Sequence, residues 1–209
     1  MTSPSIVRPA VPADHDEIWR LFRMHHEENG LFPLSDSKVR FYLERMLNPH
    51  DIEPGDMGPR GMIGVIGPVG ALEGAIMLVL GSPWYSDDVT LDDCMNFVDP
   101  AHRQSRHSEA LIEYSKHLVD KVREGHPEFK MILGIVSTKR TAAKIRLYSR
   151  RMPVVGAYFM YPDPPEVDCE LKVSGRIDMQ VPAPLKRKKY RPPLHERRRL
   201  KALQAMQAE

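Results

Sequence analysis

A chain of 209 residues, 42% apolar and 28% charged, has the composition of an ordinary globular protein and is long enough for one full core, or for a core plus a tail. No apolar run approaches the roughly 20 residues of a membrane-spanning helix, and MTSPSIVRPA lacks the basic-then-apolar layout of a signal peptide, so a cytoplasmic location is expected. The net charge of +2 conceals a split: residues 186–201, KRKKYRPPLHERRRLK, hold nine Lys/Arg against Glu196 alone, whereas residues 1–179 hold 21 Lys/Arg against 26 Asp/Glu. Cys94 and Cys169 stand apart inside apparent strands, a usage that suits reduced core or cleft thiols and supplies neither a disulfide framework nor a cysteine-based zinc site.

In chain order, IVRPAV (6–11) reads as a short edge strand, because Pro9 removes a ladder donor and Pro12 ends it. Asp14, with Glu17 three residues on, has the layout of a capping box before Ile18, Leu21, Phe22 and His25, which predicts a helix to Asn29-Gly30. A second helix is expected from Ser35 or Asp36 to just before Pro49, followed by the Pro/Gly-rich loop PHDIEPGDMGPRG. MIGVIG and ALEGAIMLVL, separated by Pro68-Val69-Gly70, read as a hairpin, and TLDDCMNFV as a further strand. Apolar spacing from Ser105 to Arg123 predicts a helix. KMILGIVS then reads as a strand buried on both faces, Thr141 to Arg151 as a helix, and Val154 to Tyr161 as a last strand, with DCELKVSGRI as a possible addition. The order βααβββαβαβ belongs to an α/β domain whose mixed central sheet is flanked by helices, here over residues 1–179, with a basic C-terminal extension over 180–209.

Two local motifs sit on this order. The first is Val98-Asp99-Pro100-Ala101-His102-Arg103-Gln104-Ser105-Arg106-His107-Ser108, a strand, a proline turn and a basic helix start. The second is Ile135-Val136-Ser137 followed by AAKIRLYSRRMPVVG, a strand and then a helix ending in Leu147-Tyr148 with Gly156 beyond. Together they resemble the GNAT N-acetyltransferase superfamily across roughly residues 5–161. The resemblance implies an acyl-CoA-dependent N-acyltransferase that moves an acetyl group from acetyl-CoA to an amine. It implies phosphate and pantetheine contacts from Phe97, Val98, Arg103, Gln104, Ser105, Arg106, His107, Ser108, Ser137 and Thr141. Arg106 and Ser108 stand where the family usually has glycines, and Thr141 where many members have asparagine. The glycine-free version resembles divergent members, often encoded by bacteriophages, for which the location would be the host cytoplasm.

The residues support a phosphate site by their own chemistry. A helix N-terminus carries about half a positive charge and unsatisfied N–H groups, and Arg103 and Arg106 beside it would add charge-assisted bonds to phosphate oxygens. The bland alternative is a pair of solvated arginines.

Transfer also needs an acid for the departing thiolate and a base for the amine. The resemblance assigns the acid to Tyr148, whose phenol is protonated at neutral pH; the alternative is a core tyrosine. Strict alternation along LDDCMNFV would put Asp92, Cys94, Asn96 and Val98 on a polar cleft face, and Leu91, Asp93, Met95 and Phe97 on a packed face. Asp92 lies eleven residues before Arg103, where the resemblance implies the base, with Glu73 as the fallback; the alternative is that Asp92 sits in a loop at the strand's entrance without a role. The amine acceptor is expected near His25, His26, Glu27, Glu28 and the loop 31–36, or beside SPWYSDD (82–88).

Residues 186–201 suit binding to nucleic acid, to an acidic protein surface or to a second copy in a homodimer, and equally a solvated tail. A second function class follows from this segment and the missing glycines. In it, the chain is a catalytically degenerate GNAT-fold binding or assembly protein.

Overall fold

A computed structural model describes residues 6–51, 58–135, 137 and 139–156, and these form a five-stranded sheet with helices packed on both faces. The strands are β1 (Val7–Pro9), β2 (Gly61–Ile66), β3 (Gly74–Gly81), β4 (Thr90–Val98) and β5 (Lys130–Ile132), in spatial order β1-β2-β3-β4-β5. The first four run antiparallel to their neighbours, and β5 joins β4 in parallel. The helices are α1 (His15–Asn29), α2 (Asp36–Leu47), α3 (His107–Arg123) and α4 (Thr141–Ser149). Among the described residues no helix is long and apolar enough to cross a membrane.

Period-two patterning of the central strands divides the core into two layers. Ile63, Val65, Ala75 and Met77 pack against Ile18, Leu21, Leu43 and Met46 of α1 and α2. Ile66, Ile76 and Leu78 face the other way, against Leu111 and Val119 of α3. Each of these side chains is almost wholly withdrawn from water, which at about 25 cal/mol per Å² is worth roughly 1.5–3 kcal/mol apiece for all but the smaller Ala75. Helix α3 approaches β2 closely at Gly64, where a Cβ would stand 2.6 Å from the Tyr114 ring, so any side chain there would push the layer apart.

The expected capping box at Asp14 does not form. Asp14 is fully buried and accepts both guanidinium donors of Arg8, at 2.7 and 2.8 Å, and the N–H of Val11 at 2.9 Å. These bonds, with the Arg8 bond the largest, hold its carboxyl below the usual range against the opposing effect of burial. Glu17 instead bonds Arg20 and the N–H of Leu72. Tertiary partners outcompete the local helix-end N–H groups for both carboxylates.

Strand β5 is also shorter than KMILGIVS, and Lys130 and Ile132 are exposed, so the expected burial on both faces is absent here. Helix α4 ends at Ser149, and residues 154–156 carry no regular structure. The remainder of the expected last strand, DCELKVSGRI, Cys169 and the basic extension lie outside the described residues.

Candidate active site

Strand β4 builds the site by outrunning its neighbour. It pairs with β5 only through Thr90↔Lys130, Leu91↔Met131 and Asp92↔Ile132, then continues to Val98 while the chain after Ile132 turns away. The opening between them is a cavity of about 470 Å³, floored by β4 and walled by Ile132, Gly134, Ile135 and Ser137, by α4 and by the end of α1. Asp93 bridges its closed end, accepting the N–H of Gly134 at 2.6 Å.

A register shift against Met77/Leu78 leaves Cys94 as an extra residue in β4. The bulge breaks the alternation expected from the sequence. Leu91 and Val98, one odd and one even, share the α3-side core, whereas Met95 and Phe97 pack beneath α1 and α2. The assignment of Leu91 to the face of Met95 and Phe97 is therefore corrected, because the face of a residue depends on the bulge as well as on parity. Asp92, Asp93 and Cys94 all line the cavity. Burial raises the Asp93 carboxyl to about 6, whereas the neighbouring Cys94 is exposed. One oxygen of Asp92 is buried without a partner, and the other accepts a long bond from Thr90 at 3.4 Å.

At the opposite wall, the Asn96 amide donates to the Tyr148 hydroxyl oxygen at 2.8 Å. Because the oxygen accepts that bond, its own proton stays available for donation into the cavity. Burial, reinforced by the charge of Asp93, raises the phenol well above its ordinary pKa, so it is protonated at neutral pH. The Asn96 side-chain oxygen is also buried without a partner.

Of the residues singled out from the sequence, Asp92, Phe97, Val98, Arg103, Ser108, Ser137 and Tyr148 line this cavity. The Phe97 ring packs against His25 and Arg103, two other lining residues. Arg103 is drawn to Glu28 of α1 and to the Val98 carbonyl. Gln104, Ser105 and Arg106 form an exposed turn outside the lining. Ser105 accepts the His107 N–H at 3.2 Å, and Arg106, with 84% of its side chain exposed, pairs with Glu109 at 2.7 Å. His107 turns to Glu73, 2.5 Å away. Thr141 donates its hydroxyl to the Ser137 carbonyl. His26 and Glu27 lie outside the lining, whereas His25 and Glu28 belong to it.

The missing glycines cost the turn no backbone strain. Arg106 has φ −93°, and among the described residues the only non-glycine with positive φ is Arg140, at +58°. The first-turn N–H groups of α3 remain without intrahelical partners, as at any helix start.

The sequence reading missed Lys144, Arg140 and Asn29. Lys144 reaches into the cavity and donates to Asn29 Oδ1 at 2.5 Å and to Ser137 Oγ at 2.9 Å. Burial lowers its ammonium to about 8 although Glu28 opposes this. His25, buried beside it, is pulled down to about 4 and is neutral at pH 7. Lys144 lies within the stretch read only as a helix, Thr141 to Arg151, and nothing in its local sequence marked it for the cavity.

Neither the protein-family models nor the curated proteins yield a match to this sequence. Solved structures do. A possible acetyltransferase from Clostridium difficile 630 is similar at TM-score 0.54 and 20% identity, over 75% of this chain and 95% of that one. An integron cassette protein from the mobile metagenome of Cole Harbour Salt Marsh gives 0.51 and 18%, over 77% and 92%. AAC(6′)-Iy, solved in complex with the bisubstrate analogue CoA-S-monomethyl-acetylneamine, gives 0.51 and 13%, over 75% and 96%. The chain has a GNAT-like fold, the mixed sheet flanked by helices that it shares with these structures.

Proposed function

We propose that this protein is an N-acyltransferase that transfers an acetyl group from acetyl-CoA to an amine. The observation that carries this reading is the wedge between β4 and β5, in which residues 93–98 present a strand edge to a cavity instead of to another strand. An unpaired edge, together with the orphaned oxygens of Asn96 and Asp92, fits an extended arm that carries amides and ends in phosphates. The cavity is open beside Val98, which favours this reading over a GNAT-fold protein that only binds or assembles.

Residues 96–98 would hold the amide-bearing arm through their main chain, and the first turn of α3 with Ser108 and Arg106 would take the phosphates. Arg140 and Lys144 add positive charge along the opposite wall. When bound, acetyl-CoA supplies an acetyl thioester, an acyl group open to attack by a neutral amine. The Asp92–Asp93 carboxylates receive the amine proton, Asp92 through its unpartnered oxygen and Asp93 from a pKa moved toward neutrality. Tyr148 donates its hydroxyl proton to the departing sulfur, its oxygen being held by Asn96. A main-chain N–H of the exposed β4 edge polarises the acyl carbonyl.

Calorimetric titration with acetyl-CoA tests the reading. One equivalent is expected to bind, and Tyr148→Phe is expected to bind equally while losing about 100-fold in turnover with a reactive amine. Absence of binding together with absence of acyl transfer to a panel of amines would sink the proposal.

A further inference from the structure

Outside the cavity lining, three side chains from three segments converge on one point. Glu73 immediately precedes β3, His102 closes the 3-10 turn after β4, and His107 opens α3. His107 Nε2 lies 2.5 Å from Glu73 Oε2, and His102 Nδ1 lies 3.4 Å from the same oxygen. The two imidazoles stack with centroids 6.2 Å apart and planes 20° apart. Each residue offers one ligand atom, and the three atoms lie within 4.8 Å of one another.

We propose that Glu73, His102 and His107 bind a divalent transition metal ion, with zinc favoured by the donor set. Two imidazole nitrogens and one carboxylate oxygen, with a fourth position open to water, form an arrangement that zinc takes readily. Two ligand atoms at about 2.0–2.1 Å from a tetrahedral ion stand about 3.3 Å apart. The His102–Glu73 separation of 3.4 Å already meets this. The His107–Glu73 contact must open by less than about 1 Å, and a Glu73 side chain that is 32% exposed has room to move.

The backbone holds the triad in place. Glu73 donates its N–H to Ile66 O and accepts the Asp99 N–H at 2.8 Å, and His102 N–H bonds Asp99 O at 2.8 Å. The backbones of Glu73 and His102 are thus set before an ion arrives, and the three side chains remain partly exposed. In the metal-bound form His107 ligates through Nε2 and His102 through Nδ1. The protonated Nδ1 of His107 is buried without a partner, and a missing outer-shell partner typically costs 10–100-fold in affinity, so binding in about the micromolar range is expected. The ion would tie the start of β3 to the turn that leads into α3. Its charge would add to the positive end of that helix.

Titration of the full chain with zinc chloride alone, in a non-chelating buffer at neutral pH, tests this. One equivalent is expected to bind the parent protein. Binding should weaken at least about 10-fold in His102→Ala and in Glu73→Gln. It should be unchanged in His126→Ala, which alters an exposed histidine elsewhere. Circular dichroism confirms that each variant is folded, and His102, the most exposed of the three, carries the test if another does not fold. No zinc binding by the parent, or equal binding by parent, His102→Ala and Glu73→Gln, overturns the proposal.

Discussion

Asp93 shows how one carboxylate can serve the site at a cost to the fold. Burial raises its pKa from 3.8 to about 6, and only the Gly134 N–H and its own backbone offset that among its described hydrogen bonds. Between those two values the folded state binds more protons at this position than the unfolded state. The contribution of Asp93 therefore becomes less favourable as pH rises from about 4 to about 6 and stays so above it. Asp93→Asn keeps an acceptor for Gly134 and removes the charge. It is expected to stabilise the protein at neutral pH by on the order of 2–3 kcal/mol at most, with the gain vanishing toward pH 4. Denaturant unfolding of both proteins across this pH range gives the difference curve. A flat difference would show that the carboxylate is better solvated than its position implies. The same variant should lose acyl transfer if Asp93 shares in accepting the amine proton, which couples stability and activity with opposite signs at one residue.

At the scale of elements, α4 begins on a strained residue. Arg140 is the N-cap of α4 and adopts the left-handed conformation, φ +58° and ψ 22°, which costs a residue with a Cβ about 1 kcal/mol. It also faces the cavity wall that carries Lys144 and Tyr148. Strain of this kind persists where the surroundings impose it, here to aim both a guanidinium and a helix start at the cavity. Arg140→Gly is expected to raise unfolding stability by about 1 kcal/mol and to weaken acetyl-CoA binding several-fold. Stability that stays the same or falls in chemical denaturation would contradict the strain argument. The bulge in β4 works on the same scale. By inserting Cys94 it puts Leu91 and Val98 in the same core layer although they differ in parity.

At the scale of the whole molecule, Arg20 joins three segments around the site. It bonds Asp99 at 2.8 Å, the Leu72 carbonyl at 2.9 Å and Glu17 at 3.1 Å, linking α1, the β2–β3 hairpin and the end of β4. The turn leading into α3 is thus anchored from the opposite side of the sheet. The charge split belongs to this scale too. Residues 1–179 are net acidic and would repel a nucleic acid backbone, so any affinity for one must come from residues 186–201, which lie outside the described structure. If the full chain shows salt-sensitive retention on nucleic acid, deleting residues 182–209 is expected to abolish it and to leave acetyl-CoA binding unchanged. Retention that survives the deletion would move that role to the body of the protein.

The helices, the hairpin and β4 were readable from local signals, because glycine-proline punctuation and periodicity act within a few positions of the chain; the strand expected at Ile135-Val136-Ser137 was not, since β5 ends at Ile132. Ser35 before α2, the full extent of β4 and the Leu147-Tyr148 pair on α4 all sit where sequence alone put them. Three decisions were made only in three dimensions. Arg103 left the phosphate turn for Glu28, a residue 75 positions earlier. Lys144 found Asn29, 115 positions away, and became a cavity residue with a depressed pKa instead of a solvated one. The faces of β4 followed the bulge against β3. Each outcome depends on a partner brought near by the sheet, and sequence spacing carries no information about which distant group will offer the better hydrogen bond or exclude the water. Sequence alone therefore determined the order of elements and a cleft at the end of β4. The tertiary structure decided which charges that cleft contains.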